Sequence, residues 1–134
     1  MITIIAGEKG SGKTKKIIDL ANKESSGVNV VLATTDRYRS EIKPEVRFVD
    51  TVEEGVHNFD RLVGFIKGVL CTNYDIENLF IDGAYKMIGS AIDSAEMAEL
   101  IAALDAIGKS SQVNFVLTVS CATDKLPEFI KKYL

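Results

Sequence analysis

Residues 2–21, ITIIAGEKGSGKTKKIIDLA, join a short β-branched run to a glycine-rich segment and then to a helical pattern. Residues 2–6 predict a strand because the run is short, rich in β-branched side chains and followed at once by glycine. From residue 13 to about residue 24, apolar side chains recur at the spacing of a helix. The stretch therefore predicts a strand, a glycine-rich turn and a helix in direct succession.

The glycine-rich turn fits the pattern GxxxxGK[ST]. Its eight residues are Gly7, Glu8, Lys9, Gly10, Ser11, Gly12, Lys13 and Thr14. Glycines let a backbone turn with positive φ and approach an anion closely, and the N–H groups at a helix start attract negative charge. In this pattern Lys13 is expected to reach the β- and γ-phosphates of a nucleotide, and Thr14 to bind Mg²⁺. The turn therefore predicts a nucleotide-binding loop.

Further strands are predicted where short apolar runs are bounded by turn residues. These runs are residues 28–33, 46–49, 78–82 and 113–119. Residues 35–42 are polar and predict a loop with one helical turn. Residues 51–54, TVEE, have the spacing of a capping box and predict the start of a helical segment.

Three more helices are predicted from apolar periodicity and end signals. They are the stripe over residues 59–70, a helix capped by Asp93 or Ser94 and ended by Gly108, and a short helix that begins at Pro127. Strands and helices thus alternate along the chain. This order predicts a single α/β domain over residues 1–134, in three layers, with a mostly parallel sheet of about five strands and helices on both faces.

The run Leu79-Phe80-Ile81-Asp82 ends a predicted strand in a carboxylate. In position and composition it resembles the Walker B motif, whose aspartate organises a magnesium ion. Together with residues 7–14, it makes the whole chain resemble a minimal P-loop NTPase of the RecA-like branch, which includes helicase cores, type II thymidine kinases and translocating ATPases. The chain is also similar to small stand-alone ATP-binding proteins that are loosely grouped with the twitching-motility (pilus-retraction) ATPases.

This resemblance implies ATP and Mg²⁺ as cofactors, with residues 7–14 at the phosphates and Thr14 and Asp82 at the metal. It implies catalytic roles for Lys13, Asp82 and Ser120. Strand 113–119 would then lie between the strand of the glycine-rich turn and the strand of Asp82. Such an inserted strand often ends in a polar sensor of the γ-phosphate, a place that Ser120 or Thr118 occupies here. For Ser120, a hydroxyl that only caps the loop backbone is an equally good interpretation.

Gly83 stands where RecA-like proteins normally carry the glutamate that activates water. The missing base predicts slow hydrolysis, or a site that a protein partner or a second copy of the chain completes. Two alternatives remain open, a non-catalytic nucleotide-dependent switch or assembly module and a small-molecule, nucleoside-type kinase. The kinase would use Asp36 as its base, but residues 36–39 are also interpreted as a solvated turn, and the zinc-binding cysteine pairs of type II thymidine kinases are missing.

The composition excludes several other classes of protein. The 134 residues are 46% hydrophobic and 26% charged, with a net charge of −3, which is typical of a globular chain and does not indicate nucleic-acid binding. No apolar run reaches the roughly 18 residues of a membrane span. The two cysteines form no CxxC pair, and residues 1–5 lead straight into a strand pattern, so we expect a cytoplasmic protein with reduced thiols. Because no guanine-recognition motif NKxD is present, we expect ATP rather than GTP.

Overall fold

A five-stranded sheet with all strands parallel forms the centre of the protein. The computed structural model describes residues 1–23 and 25–134. The strands are β1 (Ile2–Gly7), β2 (Val28–Ala33), β3 (Arg47–Asp50), β4 (Ile76–Asp82) and β5 (Asn114–Ser120). Their order across the sheet is β1-β5-β4-β2-β3. The prediction of an α/β fold with a mostly parallel sheet of about five strands is therefore confirmed.

Helices cover both faces of this sheet. They are α1 (Lys13–Ala21), α2 (Phe59–Thr72), α3 (Ala84–Ile88), α4 (Ala95–Ser111) and α5 (Glu128–Lys131), with a 3-10 turn at Arg39–Glu41. Successive side chains of a strand point to opposite faces, and along β2 Val31 and Ala33 pack with α1 whereas Val30 and Leu32 pack with α2 and α4. The helical periodicity predicted up to residue 24 ends at Ala21 in the structure, and residue 24 itself lies outside the described residues.

The strand order brings the carboxyl ends of β1, β4 and β5 to one edge of the sheet. β5 lies between β1 and β4, which is the arrangement that the resemblance implied. In the register of the sheet Gly7 pairs with Ser120, and Ala33 pairs with Asp82. Because all strands are parallel, their carboxyl ends lie on the same edge, where open α/β sheets bind ligands. The glycine-rich loop, Asp82 and Ser120 therefore meet there.

The end of α4 differs from its prediction. Gly108 does not end α4, which continues to Ser111 and is followed by Gln112 with a φ of 57°. Gly108 lies instead where α4 approaches β5, since a Cβ at this position would be 3.0 Å from the Val113 carbonyl oxygen. The other end agrees, because Ser94 Oγ accepts a hydrogen bond from Met97 N at 3.1 Å.

The capping-box prediction at residues 51–54 is wrong, because residues 51–55 form turns. The Asp50 carboxylate accepts hydrogen bonds from the backbone N–H groups of Val52 and Glu53 in this turn. The Thr51 hydroxyl donates to the Ala33 carbonyl oxygen at 3.1 Å. The cap of α2 is Asn58, whose Oδ1 accepts from Arg61 N at 2.9 Å. Two smaller differences are that Pro127 precedes α5 as its cap residue instead of beginning the helix, and that α3 had not been predicted.

The outer strand β1 is joined to the chain terminus. Ile4 N donates a hydrogen bond to the Tyr133 carbonyl oxygen at 2.8 Å, on the side of β1 away from β5. Such contacts cover backbone groups that an edge strand would otherwise expose. Among the residues that the structure describes, no helix combines the length and the apolar character needed to cross a membrane.

Three asparagines form a side-chain ladder across neighbouring strands. Asn78 Nδ2 donates to Asn29 Oδ1 at 2.9 Å, and Asn114 Nδ2 donates to Asn78 Oδ1 at 3.3 Å. Asn29 is buried, and its own Nδ2 donates to the Ala21 carbonyl oxygen at the end of α1, at 2.9 Å. The ladder therefore ties β2, β4 and β5 in register and attaches α1 to them.

We expect Asn29→Ala to lower the free energy of unfolding by about 1–3 kcal/mol, because it leaves the Ala21 carbonyl oxygen and the half-buried Asn78 amide without their partner. Urea denaturation measures the change. Asn114→Ala is the matched control, since Asn114 is exposed and ends the ladder. Equal losses for the two variants would contradict this account of the ladder.

Candidate functional site

The loop between β1 and α1 depends on glycine conformations. Gly10 and Gly12 have φ values of 84° and 89°, in the left-handed region that residues with side chains rarely adopt. Gly12 is the cap residue of α1, and its carbonyl oxygen accepts from Lys16 N at 3.1 Å. The loop turns back on itself, with Ser11 N donating to the Glu8 carbonyl oxygen at 3.1 Å. Its geometry therefore leads directly into the first turn of α1.

Gly7 is required for a different reason, which is space. A Cβ at Gly7 would overlap Ser11 Oγ and lie 3.1 Å from Ser11 Cβ. The loop thus folds closely over the end of β1. The Gly7 carbonyl oxygen accepts from Cys121 N at 3.0 Å, which joins the loop to the end of β5.

Lys13 is the first residue of α1, and its side chain lies across the loop. Its Nζ donates to the Glu8 carbonyl oxygen at 2.9 Å. The ammonium group is therefore held beside the loop backbone, where the partial positive charge of a helix start adds to its own charge. The two together make an environment that favours an anion.

Asp82, at the end of β4, accepts hydrogen bonds from three hydroxyl groups. Thr118 donates to Oδ1 at 2.7 Å, while Tyr38 and Thr14 donate to Oδ2 at 2.9 Å and 3.3 Å. Thr118 Oγ1 also accepts from Gly83 N at 2.9 Å. The structure thus brings Thr14 and Asp82, the two residues predicted at a metal, into direct contact.

Tyr38 was not predicted as a site residue. It lies in the segment that had been interpreted as a solvated turn, yet its side chain is only 7% exposed and packs edge-on against Phe48, with ring centroids 5.5 Å apart. Its neighbours Asp36, Arg37 and Arg39 are exposed, as that interpretation expected. Burial, and then the charge and hydrogen bond of Asp82, raise the pKa of the Tyr38 phenol far above its usual value, so the phenol keeps its proton and donates.

A cleft of about 610 Å³ opens at this edge of the sheet. It is lined by Lys9, Gly10, Gly12, Lys13, Thr14, Thr34, Thr35, Arg37, Tyr38, Glu41, Asp82, Gly83, Tyr85, Lys86, Thr118 and Ser120. Four of these side chains are cationic and two are carboxylates, a balance that suits an anionic ligand. Gly7, Glu8 and Ser11 shape the loop without lining the cleft, and Asp36, the candidate kinase base, does not line it either.

The two hydroxyl candidates on β5 have different surroundings. Thr118 is buried and bonded to Asp82, whereas Ser120 is half-buried and lines the cleft. Within the part of the chain that the structure describes, no three His, Cys, Asp or Glu side chains cluster as a metal site would require. A cation bound at Asp82 would have this carboxylate and the Thr14 hydroxyl beside it. Magnesium suits such a site, because it commonly keeps several waters and binds substrate phosphates.

We expect Gly12→Ala to lower the free energy of unfolding by about 1–2 kcal/mol, because alanine is strained at positive φ although no atom lies within 4 Å of the added Cβ. Gly64→Ala is the control. Gly64 also has open space but lies within α2, where alanine is the better helix former by about 1 kcal/mol. Chemical denaturation of both variants measures the opposite signs, and a stabilised Gly12→Ala would contradict the strain.

The chain matches no protein-family model, and no curated protein shows significant similarity to it.

Proposed function

We propose that this protein binds a magnesium nucleotide, ATP in preference to GTP, in the cleft at the carboxyl edge of its sheet. The observation that carries the proposal is the joint placement of the glycine-rich loop, at the start of α1, and the Thr14–Asp82 contact of 3.3 Å. We assign the chain to the P-loop NTPases, in the RecA-like branch. The order of β1, β5 and β4 supports this assignment.

The phosphates would lie against the loop backbone and Lys13. Positive-φ glycines allow a close backbone approach, and the helix start and the ammonium group supply positive charge. Thr14 and Asp82 would hold Mg²⁺, which neutralises phosphate charge when it is bound. Ser120 lines the same cleft and is our candidate for contact with the terminal phosphate.

We further propose that this nucleotide is hydrolysed slowly, or only when a second subunit or another protein completes the site. Gly83 has no side chain to act as a base, and Asp82 is already occupied by three hydroxyl donors. Apart from Asp82, Glu41 is the carboxylate among the described cleft residues, and it is exposed on the 3-10 turn. A kinase acting through Asp36 has less support, because Asp36 does not line the cleft.

A nucleotide-dependent switch that does not hydrolyse ATP is the second candidate function, and Gly83 is the observation that favours it. Both functions are compatible with the cytoplasm, to which we assign the protein on the basis of its two free cysteines.

The first experiment measures thermal unfolding with and without Mg-ATP. Mg-ATP at 100 times its Kd should raise the free energy of unfolding of the wild-type protein by about 2.7 kcal/mol. Mg-GTP at the same concentration should raise it less. Lys13→Ala should lose most of this gain, because the cation beside the phosphates is removed. Lys16→Ala removes an exposed charge from the same helix and should keep it. An undiminished gain in Lys13→Ala would overturn the proposed site.

The second experiment separates slow hydrolysis from switching by measuring phosphate release from Mg-ATP. We expect slow release that is lost in Lys13→Ala, with a rate per chain that rises with protein concentration if a second copy completes the site. Tight ATP binding with no release in wild-type protein would exclude self-completed hydrolysis and favour the switch.

A further inference from the structure

The phenol of Tyr38 lines the cleft and reaches Asp82 from a separate part of the chain. It comes from the segment between β2 and β3, whereas the loop and Asp82 belong to β1, α1 and β4. Its Oη donates to Asp82 Oδ2 at 2.9 Å, a shorter distance than the 3.3 Å of the Thr14 hydroxyl on the same oxygen.

The Tyr38 ring is held on several sides. It is buried in a cluster with apolar side chains of α1, β2 and β4, and it meets Phe48 at an interplanar angle of 88°. The guanidinium of Arg39 lies 4.9 Å from the centre of the Phe48 ring, the ring against which Tyr38 packs. A phenol fixed in this way presents its hydroxyl at one position, because an aromatic side chain has few rotatable bonds.

The hydrogen bonds on Asp82 leave room for one more donor. An ionised carboxylate has about four lone-pair sites, and Thr14, Tyr38 and Thr118 fill three of them. Oδ1 carries one protein donor and Oδ2 carries two. The remaining site on Oδ1 suits a water molecule bound to a metal ion, provided that the carboxylate does not rotate.

We propose that Tyr38 is a positioning residue that fixes the Asp82 carboxylate for the magnesium ion of a bound nucleotide. The inference rests on the proposed function, since it concerns the metal of the same site. Thr14 and Thr118 are less able to fix the carboxylate alone, because the proposed function also gives the Thr14 hydroxyl to the metal and Thr118 also accepts from Gly83 N.

The same contact links the metal to a wall of the cleft. Thr34, Thr35, Arg37 and Glu41 line the cleft from the segment that carries Tyr38. Through this hydrogen bond, a fixed Asp82 carboxylate would favour the observed position of this segment and of the lining that it contributes to the cleft.

The experiment compares nucleotide affinity in EDTA with affinity in saturating Mg²⁺. Wild-type protein should bind more tightly with the metal. Tyr38→Phe should leave the affinity in EDTA unchanged and reduce the enhancement by Mg²⁺ about tenfold, which corresponds to about 1.4 kcal/mol. Tyr74→Phe removes a hydroxyl from a 93% exposed side chain and should behave as wild type.

A purely structural role for Tyr38 would weaken binding equally with EDTA and with Mg²⁺, so the enhancement by Mg²⁺ would stay unchanged. An unchanged enhancement in Tyr38→Phe would overturn this inference but not the proposed function. A wild-type protein that binds no nucleotide, or binds it without any effect of Mg²⁺, would overturn the proposed function and the inference together.

A double-mutant cycle with Asp82→Asn supplies a second route. If Tyr38 acts through Asp82, adding Tyr38→Phe to Asp82→Asn should not reduce the Mg²⁺ enhancement further. Additive losses would show that Tyr38 acts elsewhere.

Discussion

The carboxylate of Asp82 is the point on which the site depends, because hydroxyls from three separate parts of the chain donate to it. Thr14 comes from α1, Tyr38 from the segment after β2, and Thr118 from β5. None of these elements adjoins Asp82 in sequence. These hydrogen bonds form only when β5 is inserted beside β4 and when α1 packs across the sheet. The site therefore exists only in the assembled fold.

A parallel sheet makes this assembly possible. Its strands all end on one edge, and every crossover helix must return to the opposite edge. The crowded carboxyl edge therefore collects loops from the whole chain, while the other edge carries the asparagine ladder that ties β2, β4 and β5 in register. Polar side chains thus serve different purposes at the two ends, since those at one end set alignment and those at the other line a cleft.

The sequence predicted the features that local patterns encode. β2 is a nearly continuous apolar run, the stripe of α2 has helical periodicity, and the glycine-rich loop has a fixed spacing that follows from its backbone geometry. α3 has only five residues, too few to show a period. Gly108 was interpreted as a helix end because glycine is common there, whereas here it allows α4 to approach β5. At the site, Asp82 was predicted from its own strand, but Tyr38 was not, since a long-range contact leaves no signal in the sequence around it.

The hydrogen bond between Ile4 N and the Tyr133 carbonyl oxygen has a consequence for how copies of this chain can associate. Proteins often join by continuing a sheet from one subunit into the next, which requires free backbone groups on an outer strand. On the β1 side this contact would have to break first. A second copy that supplied a group to the cleft would therefore not be expected to join by adding a strand at β1.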